Sequence, residues 1–304
     1  MALTSNQLTR YETGFNKAFS EGAADVSRSS LWGQLAQVPS KIPSSKGVED
    51  YRWLSNVPEF SEWVGERKIA SLKDYHYFIQ NEKFQASVQI PEDDLDDDSF
   101  GLYAQQVRAL PSGVETKWGK LVHKLLASGK TAKAFDGVPF FSAATGGRKF
   151  SNLLTGTMAA TPTLDQVRAD VNSARVAMAQ FKDENGDPLG IVPDVFIVHP
   201  AAELVFRQLF NSTADVAKDN SGVANPFQNA GTVIVDPGIE KANSFFALAT
   251  RGYSVGAIVR QERDNVAAEL FDDHFMNKRY IYGADFRGNV GFGFPQLAVA
   301  VEGK

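Results

Sequence analysis
Two short runs of alternating residues flank a polar break in the most aromatic part of this chain, and no other feature constrains the fold as strongly. In the first run Tyr75, Tyr77 and Ile79 share a face; in the second Phe84, Ala86, Val88 and Ile90 do, with Gln85, Ser87 and Gln89 opposite. Asn81, Glu82 and Lys83 lie between them, so the pattern predicts a β-hairpin. Two strands of about six to eight residues extend roughly 20 to 25 Å, and an isolated pair of that kind is marginal in water. Such a hairpin needs a surface to lie on, either its own body or a neighbouring subunit.

The remaining sequence can supply a body. Its 304 residues are 43% hydrophobic and 22% charged, enough to bury a sizeable core in one large domain or two small ones. With 31 Lys and Arg against 36 Asp and Glu the net charge is −5, which disfavours a protein whose main work is neutralising phosphates. The absence of cysteine removes disulfides, thiolate metal sites and a cysteine nucleophile, and fits a reducing compartment. The first residues carry no apolar run of signal-peptide length and no stretch is apolar enough to span a bilayer, so neither secretion by a cleaved signal nor a membrane location is expected.

Along the chain, Leu8, Tyr11, Phe15 and Phe19 recur at helical spacing in an otherwise Ser-, Gly- and Ala-rich start, predicting an arm with one short helix. Residues 38–46, VPSKIPSSK, read as extended chain or a linker. Residues 91–98, PEDDLDDD, place an acidic cluster where a helix opens, at the end favourable to negative charge. The stripe Phe100, Tyr103, Val107 is interrupted by Pro111 and restarted by a capping-box pattern at Ser112 and Glu115, running on through Val114, Trp118, Leu121, Val122, Leu125 and Leu126 to a stop at Gly129. One kinked helix or two split ones both satisfy this pattern; a single helix of about thirty residues would span roughly 45 Å. A second helix opens with a capping box at Thr163 and Gln166 and carries Leu164, Val167, Val171, Ala174, Met178 and Phe181, ending in the turn ENGD at 184–187. A buried strand at Val195–Val198 leads through Pro200 into a helix with Leu204, Val205 and Leu209. The remainder reads as strands at 232–235, 245–249, 255–260, 279–282 and 297–301.

Motifs for chemistry are weak. Gly252-Tyr253-Ser254-Val255-Gly256 fits the G-x-S-x-G nucleophile elbow, and Asp264 or Asp272 followed by His274 completes a serine-hydrolase order. An elbow needs a helix next, whereas AIVRQE reads as a strand, so a Gly-containing turn is the simpler expectation and no catalytic residue is assigned. ATGGRKFS (144–151) and GNVGFGF (288–294) lack phosphate-loop spacing and read as turns or glycine-relaxed strands. Neither DDLDDD nor DENGD has the register of a Ca²⁺ loop, and His76, His123, His199 and His274 form no zinc pair, so neither metal nor cofactor is expected. Arg10, Lys17, Arg28, Lys41 and Lys46 in the arm are balanced by acids, which is no polybasic nucleic-acid tail. An arm, a protruding hairpin, a long helix and a β-rich end point to assembly.

In this order the features resemble the major head subunit of Mu-like tailed phages, and through it the Hong Kong 97-type capsid fold. Three stretches carry the resemblance. Residues 51–103, from YRWLSNVPEF to DDDSFGLY, are similar to a Trp-Leu-Gly, Trp-Ile-Gly-Asp-Arg and acidic-acidic-x-x-Gly-x-Tyr pattern. Residues 190–210, GIVPDVFIVHPAAELVFRQLF, resemble a Pro-Leu-Gly-Ile-x-Pro strand and its helix. Residues 279–300, RYIYGADFRGNVGFGFPQLAVA, resemble a Tyr-Gly-Ala-Asp-x-Arg-Gly and Gly-x-Gly-Phe-x-Gln-Leu-Ala ending. Ser55 stands where glycine is usual, Val64 and Glu66 replace Ile and Asp, and Pro111 falls inside the expected long helix.

The resemblance implies an α+β capsid fold: an N-terminal arm at 1–50, an extended loop with its β-hairpin at 51–98, a peripheral domain with a spine helix at 99–150, an axial domain at 151–254, and C-terminal strands at 255–304 returning to the peripheral domain. It implies a structural, non-enzymatic protein that self-assembles into pentamers and hexamers of an icosahedral head, made in the host bacterial cytoplasm. The implied partners are a separate scaffolding protein, a maturation protease, a portal and DNA held by nonspecific contact. The same fold builds encapsulin compartments, which makes a cargo-holding shell the first alternative. Tyr75, Tyr77, Phe78, Lys83 and Phe84 are the candidate intersubunit residues, since aromatics are enriched at interface cores. Some relatives crosslink a loop lysine to an asparagine; Lys83 is the lysine nearest the expected tip, but no catalytic carboxylate is identified for it, so noncovalent packing is expected.

Overall fold
The computed structural model describes residues 5–25, 30–51, 77–96, 100–144, 148–182, 186–214, 224–273 and 277–303. The chain starts with α1, Ser5–Asp25, whose 21 residues make it far longer than the short helix the sequence predicts. Its apolar stripe is the expected one: Phe15 is buried with Tyr103, Val107, Tyr280 and Tyr282, and Leu8, Tyr11 and Phe19 pack beside them. In the extra turns Gly22 allows close packing, since a side chain there would overlap the Arg108 carbonyl of the helix that α1 packs on. Small residues there serve close approach, which composition alone reads as low helical content.

A five-residue helix, α2 (Leu31–Leu35), follows with Ser30 as its N-cap, the Gly33 amide donating to its side chain at 2.9 Å. Residues 40–43 form β1, Ser40–Pro43, so the proline-rich segment is extended as expected; it pairs with one strand only, where proline is tolerated.

The predicted hairpin is not formed. Both runs are strands, β3 (Phe78–Gln80) and β4 (Glu82–Pro91), but they part at Asn81 and take different partners. β3 pairs antiparallel with β2, Val48–Asp50, and β4 pairs along its whole length with the distant β10, Arg279–Phe292. Asn81 is no turn residue. It is 6% exposed, donates to Ser44 Oγ (2.9 Å) and the Lys46 carbonyl (2.8 Å), and accepts from Gln261 Nε2 at 2.7 Å.

The acidic run opens α3, Glu92–Asp96, with Glu92, Asp93 and Asp94 in its first turn. The long helix α4, Phe100–Ser128, runs as one 29-residue element with Pro111 inside it, which settles the alternative of a split helix. The capping box expected at Ser112 is absent: Ser112 Oγ donates back to the Ala109 carbonyl at 2.7 Å, and Glu115 points away to Arg260. Gly129 ends the helix by making room for Phe141.

Two larger sheets share the core with α4. The first has the order β1-β9-β10-β4, with β9 at Ile258–Asp273. Strands β9 and β10 are much longer than the predicted 255–260 and 279–282, because the stretches beyond those runs, 261–273 and 283–292, alternate around charged residues and glycines and offer no continuous apolar run. The inner face of their distal part, with Ile90, Tyr280 and Tyr282, packs on α1 and α4. The second sheet has the order β5-β11-β8-β6-β7: Leu153–Thr155, Ala298–Glu302, Ser244–Leu248, Val195–Val198 and Thr232–Val235. The C-terminal strands thus divide, β9 and β10 in the first sheet and β11 in the second.

Helices α5 (Leu164–Ala179) and α6 (Glu203–Asn211) belong to this second half. The Thr163–Gln166 capping box is present, and Val167, Val171, Ala174 and Met178 face the core. The main core joins Phe196, Phe206, Phe210 and Phe245 to Trp118, Val122 and Leu126 of α4. GNVGFGF is strand through Phe292. At Gly288 a Cβ would overlap the Gln261 carbonyl and crowd the Trp118 ring, so the glycines there permit close strand and helix packing.

Gly119 of α4 plays the same role for the arm, since a Cβ there would overlap the Trp32 carbonyl of α2. Gly119→Ala is therefore expected to push α2 off the spine helix while the second-half core stays folded. Limited proteolysis should cut near residues 30–37 faster, with little change in far-UV circular dichroism.

Candidate assembly surface
The structure distributes the five candidate contact residues differently from the sequence expectation. Tyr75 lies outside the described residues. Phe78 points outward from β3 and is 59% exposed. Phe84 is half-buried in the subunit's own core, its ring 5.1 Å from that of Phe286 with Lys117 Nζ 4.5 Å above it. Tyr77 also faces inward, its hydroxyl accepting from the Phe292 amide at 2.8 Å. Lys83 is exposed on β4 opposite Arg287, in mid-sheet register and not at a tip.

What the structure does build is a base. The Tyr51 amide donates to the Tyr77 carbonyl at 2.8 Å, directly extending the β2–β3 ladder, so the two residues that bracket 52–76 sit side by side. The intervening residues 52–76 contain Trp53, Phe60, Trp63 and Tyr75. The base is held from below by a polar chain that sequence inspection missed: Tyr51 Oη donates to Gln261 Oε1 at 2.7 Å, and Gln261 Nε2 donates to Asn81. Gln261 is fully buried in the run AIVRQE, where its place between Arg260 and Glu262 gives no sign that it points inward. Glu49 closes the turn before β2, its Oε1 accepting from the Ser45 and Lys46 amides and Ser44 Oγ at 2.9 to 3.0 Å. Those backbone donors, Ser45 first, hold its carboxyl below the usual range.

Burial pushes the Tyr51 phenol up to about 12, with the Glu49 charge and Tyr77 adding to it. Burial also raises Tyr77, the Phe292 amide partly offsetting it, and takes Tyr282 to about 12 with help from Glu12. Because the folded values lie above the ordinary 10.0, the stability these groups contribute is whole below pH 10 and is lost as pH rises toward about 12. An absorbance titration at alkaline pH should show a late-ionising group of tyrosines, Tyr51 and Tyr282 among them, whose titration coincides with unfolding, and Tyr51→Phe should reduce that group by one.

Arg260 ties the arm, spine and first sheet together. It is 4% exposed, stacks over Trp118 at 4.1 Å, lies 2.6 Å from Glu262 Oε1 and 3.4 Å from Glu115 Oε2, and donates to the Ala36 carbonyl. His123 Nδ1 lies 2.8 Å from the fully buried Asp236, and His199 caps the turn at Pro200 by accepting from the Ala201 amide; His76 and His274 lie outside the described residues. Ser254 sits in an exposed bend that feeds β9, so the helix a nucleophile elbow requires is replaced by a strand, and the hydrolase alternative loses its structural context. Among the described residues no helix is long and apolar enough to cross a membrane.

A long spine helix packed on the first sheet, sharing one core with the second sheet, defines the class of Hong Kong 97-type capsid shell proteins. The same architecture appears in the procapsid of bacteriophage JBD30, which is 21% identical and superposes with a TM-score of 0.58 over 99% of this chain and 77% of that one. The chain belongs to the family of the Mu-like prophage major head subunit gpT, whose model matches residues 8–169, 156–239 and 240–304. It is 24% identical to the Mu-like prophage FluMu major head subunit of Haemophilus influenzae over 296 residues, covering 96% of this chain and 71% of that one. It is 25% identical to the major capsid protein of Escherichia phage Mu over 305 residues, covering 100% of this chain and 76% of that one. The chain is thus a structural subunit of a phage head shell and a component of the virion, and its copies assemble with one another.

Proposed function
We propose that copies of this chain close into pentamers and hexamers of an icosahedral head, clamped by the segment between Tyr51 and Tyr77 lying on the neighbouring subunit. The stapled base is the observation that carries this: the body holds both ends of the segment, and Phe78 stands exposed beside them. In this scheme residues 1–50 are the arm, with α1 and α2 lying along α4, and α4 is the spine of the peripheral domain. The second sheet with α5 and α6 is the axial domain at capsomer centres. The working unit has no catalytic role, assembles in the host cytoplasm with a separate scaffolding protein and a maturation protease, joins a portal, and holds DNA through weak contacts suited to its net charge of −5. The family match favours a phage head over a cargo compartment.

Electron microscopy of the purified chain beside its sedimentation profile tests this. Capsomers, tubes or closed shells are expected; a purely monomeric species, also when scaffold is supplied, would overturn it.

A further inference from the structure
Two arginines of the first sheet meet at Gly47. Arg263 Nη1 and Arg287 Nη2 each lie 3.7 Å from the point where a Cβ on Gly47 would sit. Neither guanidinium has a carboxylate within ion-pairing distance among the described residues, and Arg287 Nε is buried without a hydrogen-bond partner. Among the described residues, no neighbouring acid forms an ion pair with either arginine. Glu49 accepts from the Ser45 and Lys46 amides, Glu262 pairs with Arg260, and Asp264, across from Arg287 where the β9–β10 register shifts, makes no ion pair. Lys83, also across from Arg287, adds a third positive charge. A half-buried guanidinium pair without an anion is costly, and a planar fork of this kind matches a carboxylate bidentately.

We propose that Arg263 and Arg287 form a seat for a carboxylate of a second copy of this chain, filled when subunits assemble. Gly47 leaves the seat open, since any side chain there would enter the space between the two guanidinia. The occupant follows from charge placement. Strand β4 begins at this basic cluster and ends at the acidic first turn of α3, where Asp93 is exposed. Nine residue steps along an antiparallel strand set Glu92 roughly 30 Å from Lys83, so the acidic end cannot fold back onto its own seat. A head-to-tail contact between copies sets the acidic end of one against the basic end of the next, the heterologous arrangement that closes into rings. With five more acids than bases, every copy has carboxylates to offer.

The inference rests on shell assembly as proposed above, and its test separates the two. Full-length wild type, Gly47→Asp and the Arg263→Gln/Arg287→Gln double variant are compared as dispersed subunits, with a fluorescein-labelled tetra-aspartate peptide as probe. The peptide is expected to bind wild type in a salt-sensitive way and about tenfold more weakly to either variant. Gly47→Asp, which plants a carboxylate in the seat, is expected to raise the melting temperature by about 1–3 °C, and the double variant not to lower it, because no carboxylate among the described residues pairs with these arginines. Sedimentation should show both variants needing about tenfold more protein than wild type to form particles. Equal peptide binding by all three chains, or a lower melting temperature in Gly47→Asp, overturns the seat. So does a short single-stranded oligonucleotide that binds wild type more tightly than the peptide and is lost in the variants, which would make the ligand a phosphate. Particles formed equally well by all three chains also overturn the seat while leaving shell assembly intact. A wild type without particles fails shell assembly, and peptide binding and melting still decide the seat.

Discussion
Replacing residues 52–76 with an Asn-Gly turn across the Tyr51–Tyr77 base is expected to give a folded, soluble subunit that forms no closed shell. Tyr51 and Tyr77 are the next pair on a ladder already set by Val48 with Gln80 and Asp50 with Phe78, so a two-residue turn continues the existing geometry. The base owes its stability to contacts below it, Tyr51 to Gln261, Gln261 to Asn81 and Asn81 to Ser44, none of which involves the deleted stretch. Shortening the loop also lowers its closure entropy, so the subunit's melting temperature should hold or rise. Assembly should suffer severely, because the deletion removes Trp53, Phe60, Trp63 and Tyr75, side chains of the type that concentrate binding energy at interfaces. The readouts are near-UV circular dichroism for the subunit and electron microscopy with sedimentation for the shell. Normal shells from this variant would sink the clamp. A deletion from Tyr75 to Ile90, where sequence alternation alone places the clamp, is expected to unfold the chain instead, since it removes β3 and nearly all of β4 from their ladders.

That contrast shows what sequence could and could not reveal. Alternation identified the strands at 78–80 and 82–91, because each has one face against the body; it could not choose their partners, since β4 pairs with residues 279–288 far along the chain. The helix at 164–179 was fully legible, with a capping box at its start and an unbroken stripe. The Pro111 helix was legible in length but not in continuity, because sequence marks the missing amide and not the packing of Tyr103, Val107 and Trp118 on either side of it. Of the candidate contact residues, only Phe78 stands well exposed among those described with aromatic rings. Phe84 and Tyr77 show the same period-two signal because a core face and an interface face are written with the same residue types. The buried polar groups, Asn81, Gln261, Arg148 and Arg260, carry no periodic signature at all. Their burial depends on partners supplied from distant positions.

Arg148 sets up the second large effect. Its side chain is 2% exposed, and Asp136 grips it in parallel, Nε to Oδ2 at 2.8 Å and Nη2 to Oδ1 at 2.9 Å, while Nη1 donates to the Pro139 and Phe140 carbonyls at 3.0 and 2.7 Å. This fork closes the Gly-rich passage after α4 onto Phe140 and Phe141, which stack on Phe292 and Phe246 in the main core. Asp136→Ala leaves a guanidinium buried with only neutral acceptors and no counter-charge, a defect that costs about 3–5 kcal/mol. Against a total stability of about 5–15 kcal/mol this is enough to leave much of the chain unfolded at physiological temperature. Arg148→Met is expected to cost less, because Asp136, 20% exposed, can hydrate once its partner is gone, while the Phe140 carbonyl keeps its bond from Asn152 Nδ2 at 2.8 Å. Adding Arg148→Met to Asp136→Ala should therefore recover stability lost by the single change. Chemical denaturation of the four chains measures this. If the double variant is as unstable as the sum of the two singles, the fork is not a coupled pair and Asp136 acts only through its turn at Val138, whose amide it accepts at 3.1 Å.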